Sequence, residues 1–124
     1  MLVRRVSHAS FAIRDLERSL HFYRDLLGLT PIARPDFPFA GAWLASGDFQ
    51  VHLIVVPERM AVGTPPPKLT PLANHTAFVV PSYAETAAAL RAHGLDVMEA
   101  ESMGQMWVSD PDGNVIEFIV DGAR

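Results

Sequence analysis

Five histidines and one glutamate flanked by apolar residues are the groups in this 124-residue chain whose type and spacing could do chemistry. There is no cysteine, so thiolate metal sites, disulfides and Cys nucleophiles are excluded together. His21 and His93 fall in helical stretches among charged neighbours (Glu17, Arg24 and Asp25; Arg91), which is the setting of solvated surface residues. His8, His52 and His75 differ. Each sits in a strand-like run at the parity opposite to the large apolar residues: His8 against Phe11 and Ile13, His52 against Phe49, Val51, Leu53 and Val55, and His75 against Phe78 and Val80. Glu117 stands in the same relation to Ile116, Phe118 and Val120. If the apolar side packs under a helix, all four polar side chains face the other side of their sheets.

Taken singly, a strand histidine is usually a hydrogen-bonded filler and a strand glutamate is usually exposed. A repeat in the chain changes that reading. His8 to His75 and Phe11 to Phe78 are 67 positions apart, Gly28 to Gly94 is 66, and His52 to Glu117 is 65. Four landmarks in order, drifting by two residues, argue for a duplicated unit. Packed with pseudo-twofold symmetry, two such units would gather His8, His52, His75 and Glu117. Three neutral imidazoles and one carboxylate are a sound donor set for a divalent transition metal, with positions left for water or substrate. Without His52, the remaining His8, His75 and Glu117 form a two-His, one-carboxylate set that suits Fe(II).

The elements that must position these residues can be read around them. Val6 to Ile13 alternates as a half-buried strand. Asp15 is a helix N-cap, Glu17 suits the positive end of the dipole, Leu16, Leu20, Tyr23 and Leu27 make an apolar stripe, and Gly28 ends the helix. Strand-like pieces follow at Leu29 to Ala33, Ala42 to Ala45 and Phe49 to Val56, with a Pro/Phe loop at Pro35 to Phe39 and a Gly47-Asp48 hairpin. The order returns with a strand at Ala73 to Val80, a capping box at Ser82 to Glu85 and a helix closed by Gly94. Strands are then expected at Asp96 to Ala100, Gln105 to Ser109 and Val115 to Val120, the last two joined by the Asp110 to Asn114 turn. Between the units, five prolines (57, 65, 66, 67 and 71) remove backbone donors and read as a linker. The expectation is an α+β fold of two βαβββ modules, about 4–56 and 72–120, joined by a Pro-rich linker at 57–71 into one domain over 1–124, with eight strands curling into a cleft.

Composition narrows the function. At 49% hydrophobic and 19% charged residues, the chain has the make-up of a well-buried globular protein. Its 14 acidic and 10 basic residues are scattered, giving a net charge of -4 and no basic stripe, so neither nucleic acid nor a membrane surface is an expected partner. No apolar run approaches the ~18 residues of a spanning helix. The N-terminal stretch has no long apolar region behind its arginines, so the protein is expected to be soluble, unprocessed and, lacking cysteine, cytoplasmic.

The sequence resembles the vicinal oxygen chelate superfamily, which includes glyoxalase I, bleomycin-resistance proteins, fosfomycin-resistance transferases, methylmalonyl-CoA epimerase and extradiol dioxygenases. The resemblance is carried by Ser7 to Ile13 followed by Asp15 to Leu29, by Asn74 to Phe78, and by Asp110 to Phe118. It implies metal ligands on the first and last strands of each module, positions filled here by His8, His52, His75 and Glu117. It also implies a divalent ion (Fe, Mn, Ni, Co or Zn, which the sequence does not rank), a small substrate with vicinal oxygens, and a homodimer. Glu117 is the candidate catalytic base. Ser10 and Gln50 share the parity of His8 and His52, which makes them candidate substrate contacts, while Trp43 and Trp107 read as core before pocket wall. Bacterial glyoxalase I proteins usually carry glutamate where His52 stands. The resemblance implies a glyoxalase-like lyase or isomerase, with an extradiol-type dioxygenase or a non-catalytic drug-binding protein as the alternatives.

Overall fold

The structure is a computed structural model that describes residues 1–123. Two units divide the chain by contact, Met1–Val62 and a second beginning at Gly63. Each is a βαβββ repeat, and the fold class is α+β.

In the first unit, β1 (His8–Ile13), β2 (Thr30–Ile32), β3 (Gly41–Ser46) and β4 (Phe49–Val55) form a mixed sheet in the order β1-β4-β3-β2. β1 runs parallel to β4, and the hairpins are antiparallel. The strand expected from Val6 begins at His8, because the ladder starts where His8 pairs with Gln50 and leaves Val6 exposed. One face of the sheet carries Phe11, Ile13, Leu44, Val51 and Leu53. The last four of these are almost wholly buried, and Phe11 stacks on Tyr23 from the following helix at 5.5 Å between centroids.

That helix departs from the regular stripe expected up to Gly28. α1 (Leu16–Leu20) is capped by the Asp15 carboxylate, which accepts from the Arg18 N–H at 2.9 Å. It passes at His21 into a π-helical turn, His21–Leu26, in which the Leu27 N–H reaches back to the Phe22 carbonyl at 2.9 Å. The physical reason lies in two adjacent aromatics: Phe22 and Tyr23 are 1% and 0% exposed. The stripe Leu16, Leu20, Tyr23 and Leu27 would leave Phe22 outside the core, whereas a widened turn lets both rings in.

The second unit repeats the topology with β5 (His75–Val80), α2 (Tyr83–Ala92), β6 (Met98–Ala100), β7 (Gln105–Ser109) and β8 (Val115–Val120), in the sheet order β5-β8-β7-β6. The Ser82 hydroxyl caps α2 by accepting from the Glu85 N–H at 3.3 Å, and Gly94 follows the helix at φ 86°. β7 and β8 run over the residues expected, and the turn between them is organised by Asp110. Its carboxylate accepts from the N–H groups of Asp112 and Asn114 and from the Asn114 side-chain amide, all within 2.9 Å. Residues 56–74, around the five prolines, form neither helix nor strand.

Candidate functional site

Register places the candidate residues of both units in one pattern. In the first, Ser10 pairs with His52 across β1 and β4, and Trp43 pairs with His52 across β3 and β4. In the second, Ala77 pairs with Glu117 across β5 and β8, and Trp107 pairs with Glu117 across β7 and β8. His8 and His75 each lie two positions before the first-strand partner, so each unit sets a first-strand histidine diagonal to a fourth-strand donor, with a tryptophan on the donor's other flank. Paired residues share a sheet face, so these side chains stand opposite the helix-covered one.

The first unit builds a stack. The Trp43 indole lies on the His52 imidazole at 4.0 Å between centroids and 3° from parallel, and the His8 ring covers the other side of His52 at 4.0 Å and 18°. His52 is 8% exposed, and its Nε2–H donates to the Gln50 side-chain oxygen at 2.9 Å. Burial, and then the charge that His8 can carry, hold its pKa below the usual histidine range. A neutral His52 keeps a lone pair available to a cation. Ser7 Oγ approaches His8 Nδ1 at 3.1 Å. Ser10, a candidate substrate contact, lies exposed on the same sheet face beside His52.

The second unit builds a polar cage. Glu117, 3% exposed, meets His75 Nε2 at 2.9 Å and accepts from the Trp107 indole N–H at 3.0 Å, both through Oε1. The Gln105 amide donates to its Oε2 at 3.1 Å. His75 Nδ1 lies 2.7 Å from the Ala73 carbonyl, which can only accept, so Nδ1 carries a proton. A ring nitrogen anchored in this way fixes the orientation of the opposite nitrogen, the outer-shell arrangement common to metal-ligating histidines. A carboxylate buried to this degree is tolerable because it is surrounded by donors.

The structure thus pairs His8 with His52 and His75 with Glu117. Among the described residues, no group of three or more His, Cys, Asp or Glu side chains is close enough together to hold a metal ion. Gln50 engages His52, and the tryptophans, expected in the core first, stand on the donor face. Gln105 is a partner that sequence reasoning passed over, and the two tryptophans, for which the pocket wall was the second reading, flank the donors, Trp107 while buried. A signal for them existed: Gln105, Trp107 and Ser109 alternate with Met106 and Val108, both fully buried, and Trp43 alternates with the fully buried Leu44.

The donor chemistry of these residues fits a divalent transition metal, with imidazole and carboxylate donors and an anchored His75.

Comparison with known proteins places the chain. The family model of the Glyoxalase/Bleomycin resistance protein/Dioxygenase superfamily matches residues 5–118. "Glyoxylase I 4" of Arabidopsis thaliana is 34% identical over 91% of this chain and 68% of its own length. Catechol-2,3-dioxygenase of Bacillus subtilis is 32% identical over 96% of this chain, which spans 42% of that protein. A glyoxalase/dioxygenase from Nostoc punctiforme superimposes with a TM-score of 0.76 at 20% identity, covering 95% of this chain and 91% of that one, a likeness of fold. The chain therefore belongs to the Glyoxalase/Bleomycin resistance protein/Dioxygenase superfamily.

Proposed function

We propose that the protein is a metal-dependent enzyme, a glyoxalase-like lyase or isomerase acting on a small substrate with vicinal oxygens. The observation that carries this reading is the equivalence of the two donor pairs: the same two strand positions of each repeat present nitrogen or oxygen donors, flanked each time by a tryptophan. Together the two pairs supply the nitrogen and oxygen donors that suit a divalent transition metal.

His8, His52, His75 and Glu117 would hold the ion, and Lewis-acid polarisation of two adjacent substrate oxygens is the chemistry a divalent metal supplies there. The rest falls to the chain's own residues. Glu117 is the proton carrier. Trp107 and His75 hold its Oε1 and the Gln105 amide reaches its Oε2, so the carboxylate is fixed in place to take a proton from a substrate carbon and return it. Gln105 can shift its amide donor as the charge on Oε2 changes. Trp43 and His8 confine His52 and keep water from its faces. Ser10 and Gln50 remain candidate substrate contacts on the same face.

An extradiol-type dioxygenase is the second reading. It is favoured by the hydrogen bond between Gln50 and His52 Nε2, which engages His52 and points to His8, His75 and Glu117 as a two-His, one-carboxylate donor set. Elemental analysis of protein purified without chelator or nickel resin tests the common premise, and replacing His75 or Glu117 by Ala should empty the site. With metal restored, a thiol hemithioacetal panel and a catechol panel under air and under argon separate the two reactions. Turnover of neither, with tight binding of an apolar drug, would point to a binding protein. We also propose a homodimer; a sedimentation mass near that of one 13.6 kDa chain at micromolar concentration would contradict it.

A further inference from the structure

The rings around His52 do not end at Trp43. Phe37 lies 6.2 Å from Trp43 at a tilt of 50°, and Phe39 stacks on Phe37 at 5.2 Å and 7° from parallel. The series Phe39, Phe37, Trp43, His52 and His8 is therefore continuous, running from an exposed loop to the donor face of the first unit. Phe37 and Phe39 are 38% and 42% exposed, although two aromatic rings of a short loop could lower their free energy by burial.

The loop is held in this form. The Arg34 guanidinium sits over both rings, 5.0 Å from the Phe37 centroid and 5.2 Å from that of Phe39, and donates to the Phe39 carbonyl at 2.8 Å. Gly41, at the foot of the loop, makes room for it: a side-chain carbon there would collide with the Leu53 carbonyl and lie 3.1 Å from Arg34 Nη2. A clipped loop that keeps parallel rings in solvent is preorganised to stack on something flat.

We propose that Phe37 and Phe39 form a stacking wall for a planar aromatic group of the ligand, held in place by Arg34. This inference rests on the metal-centre reading above and makes the ring, rather than the oxygens alone, a determinant of specificity. An aliphatic ligand would gain only contact area at this wall, whereas an aromatic one gains ring–ring geometry as well.

Two hydroxamates with the same chelating head, benzohydroxamate and acetohydroxamate, test it by titration calorimetry on the manganese-loaded native chain. The phenyl compound should bind at least tenfold tighter. In the double variant Phe37→Leu, Phe39→Leu, that ratio should fall to about twofold, with manganese content and acetohydroxamate affinity unchanged. A ratio that survives in the double variant, or a parallel loss of both ligands, overturns the proposal. If the chain takes up no metal, the metal-centre reading fails by itself, and nitrobenzene binding to the metal-free protein still judges the wall. Weaker binding in the double variant supports it, and equal binding overturns it. Arg34→Met separates positioning from contact: its phenyl-to-methyl ratio should fall while near-ultraviolet circular dichroism reports loss of the ordered Phe37 and Phe39 rings, and an unchanged ratio would remove Arg34 from the proposal.

Discussion

Trp43 lies flat on His52 at 3° and 4.0 Å, and the residue in the same place of the second repeat, Trp107, uses its N–H to hold Glu117 instead. The same side chain on the same strand offers its face to an imidazole and its edge to a carboxylate, as the quadrupole of the ring and the polarity of the indole N–H require.

This contrast predicts unequal costs. Trp107→Phe leaves a buried carboxylate oxygen short of one donor and should cost about 2 kcal/mol in urea unfolding. Trp43→Phe keeps a stacking surface on His52 and takes no donor from a buried carboxylate, so it should cost about half as much or less. Equal losses would mean that volume, rather than the Glu117 hydrogen bond, governs both sites.

Gln50 is expected to compete with a metal for His52 Nε2. Gln50→Ala should raise metal affinity severalfold in competition with a colorimetric chelator, since one hydrogen bond contributes a net ~1 kcal/mol. A fall in affinity would show that the amide orients His52 for binding.

The β7–β8 turn that carries Glu117 into place depends on Gly113, at φ 90°, where a side-chain carbon would come within 2.9 Å of the Pro65 ring. Gly113→Ala should therefore destabilise the chain by about 1–3 kcal/mol, through both backbone strain and that contact, and lower the urea midpoint. An unchanged midpoint would mean that the 56–74 segment gives way.

Tyr83 ties α2 to the edge strand β6. Its hydroxyl donates to Glu99 at 3.0 Å, and Arg91 holds the other oxygen of the same carboxylate. Burial first, and then Glu99, push the phenol up from 10.0 to about 12. A folded pKa above the unfolded one contributes stability that is present in full below pH 10 and is lost as pH rises through about 12. Unfolding free energy should fall across that window, and Tyr83→Phe should flatten the fall. An identical slope in the variant would assign it to other groups.

Much of this architecture was legible because period and punctuation agree. Asp15, Ser82, Gly28 and Gly94 bound the helical segments, alternation marks the strands, and the 65-to-67 spacing discloses the repeat. The π-helical turn was not legible, since it answers to the joint burial of Phe22 and Tyr23, which no helical stripe encodes. At the site, parity alone separates His8, His52, His75 and Glu117 from the apolar face. The partners of these residues depend on cross-strand register, and a single strand read by itself does not state which residue of its neighbour lies opposite. That is why Trp107 and Gln105 emerge only with the sheet.

Because both repeats hold their fourth-strand residue in the same register beside a tryptophan, that position behaves as an interchangeable socket. One repeat seats an imidazole there and the other a carboxylate, in the same pairing with the neighbouring strand, so the ladder accommodates side chains of different charge at that place. Duplication of the fold thus separates the evolution of electrostatics from that of architecture: a single substitution can retune the chemistry of one half, with the other kept as an unaltered template.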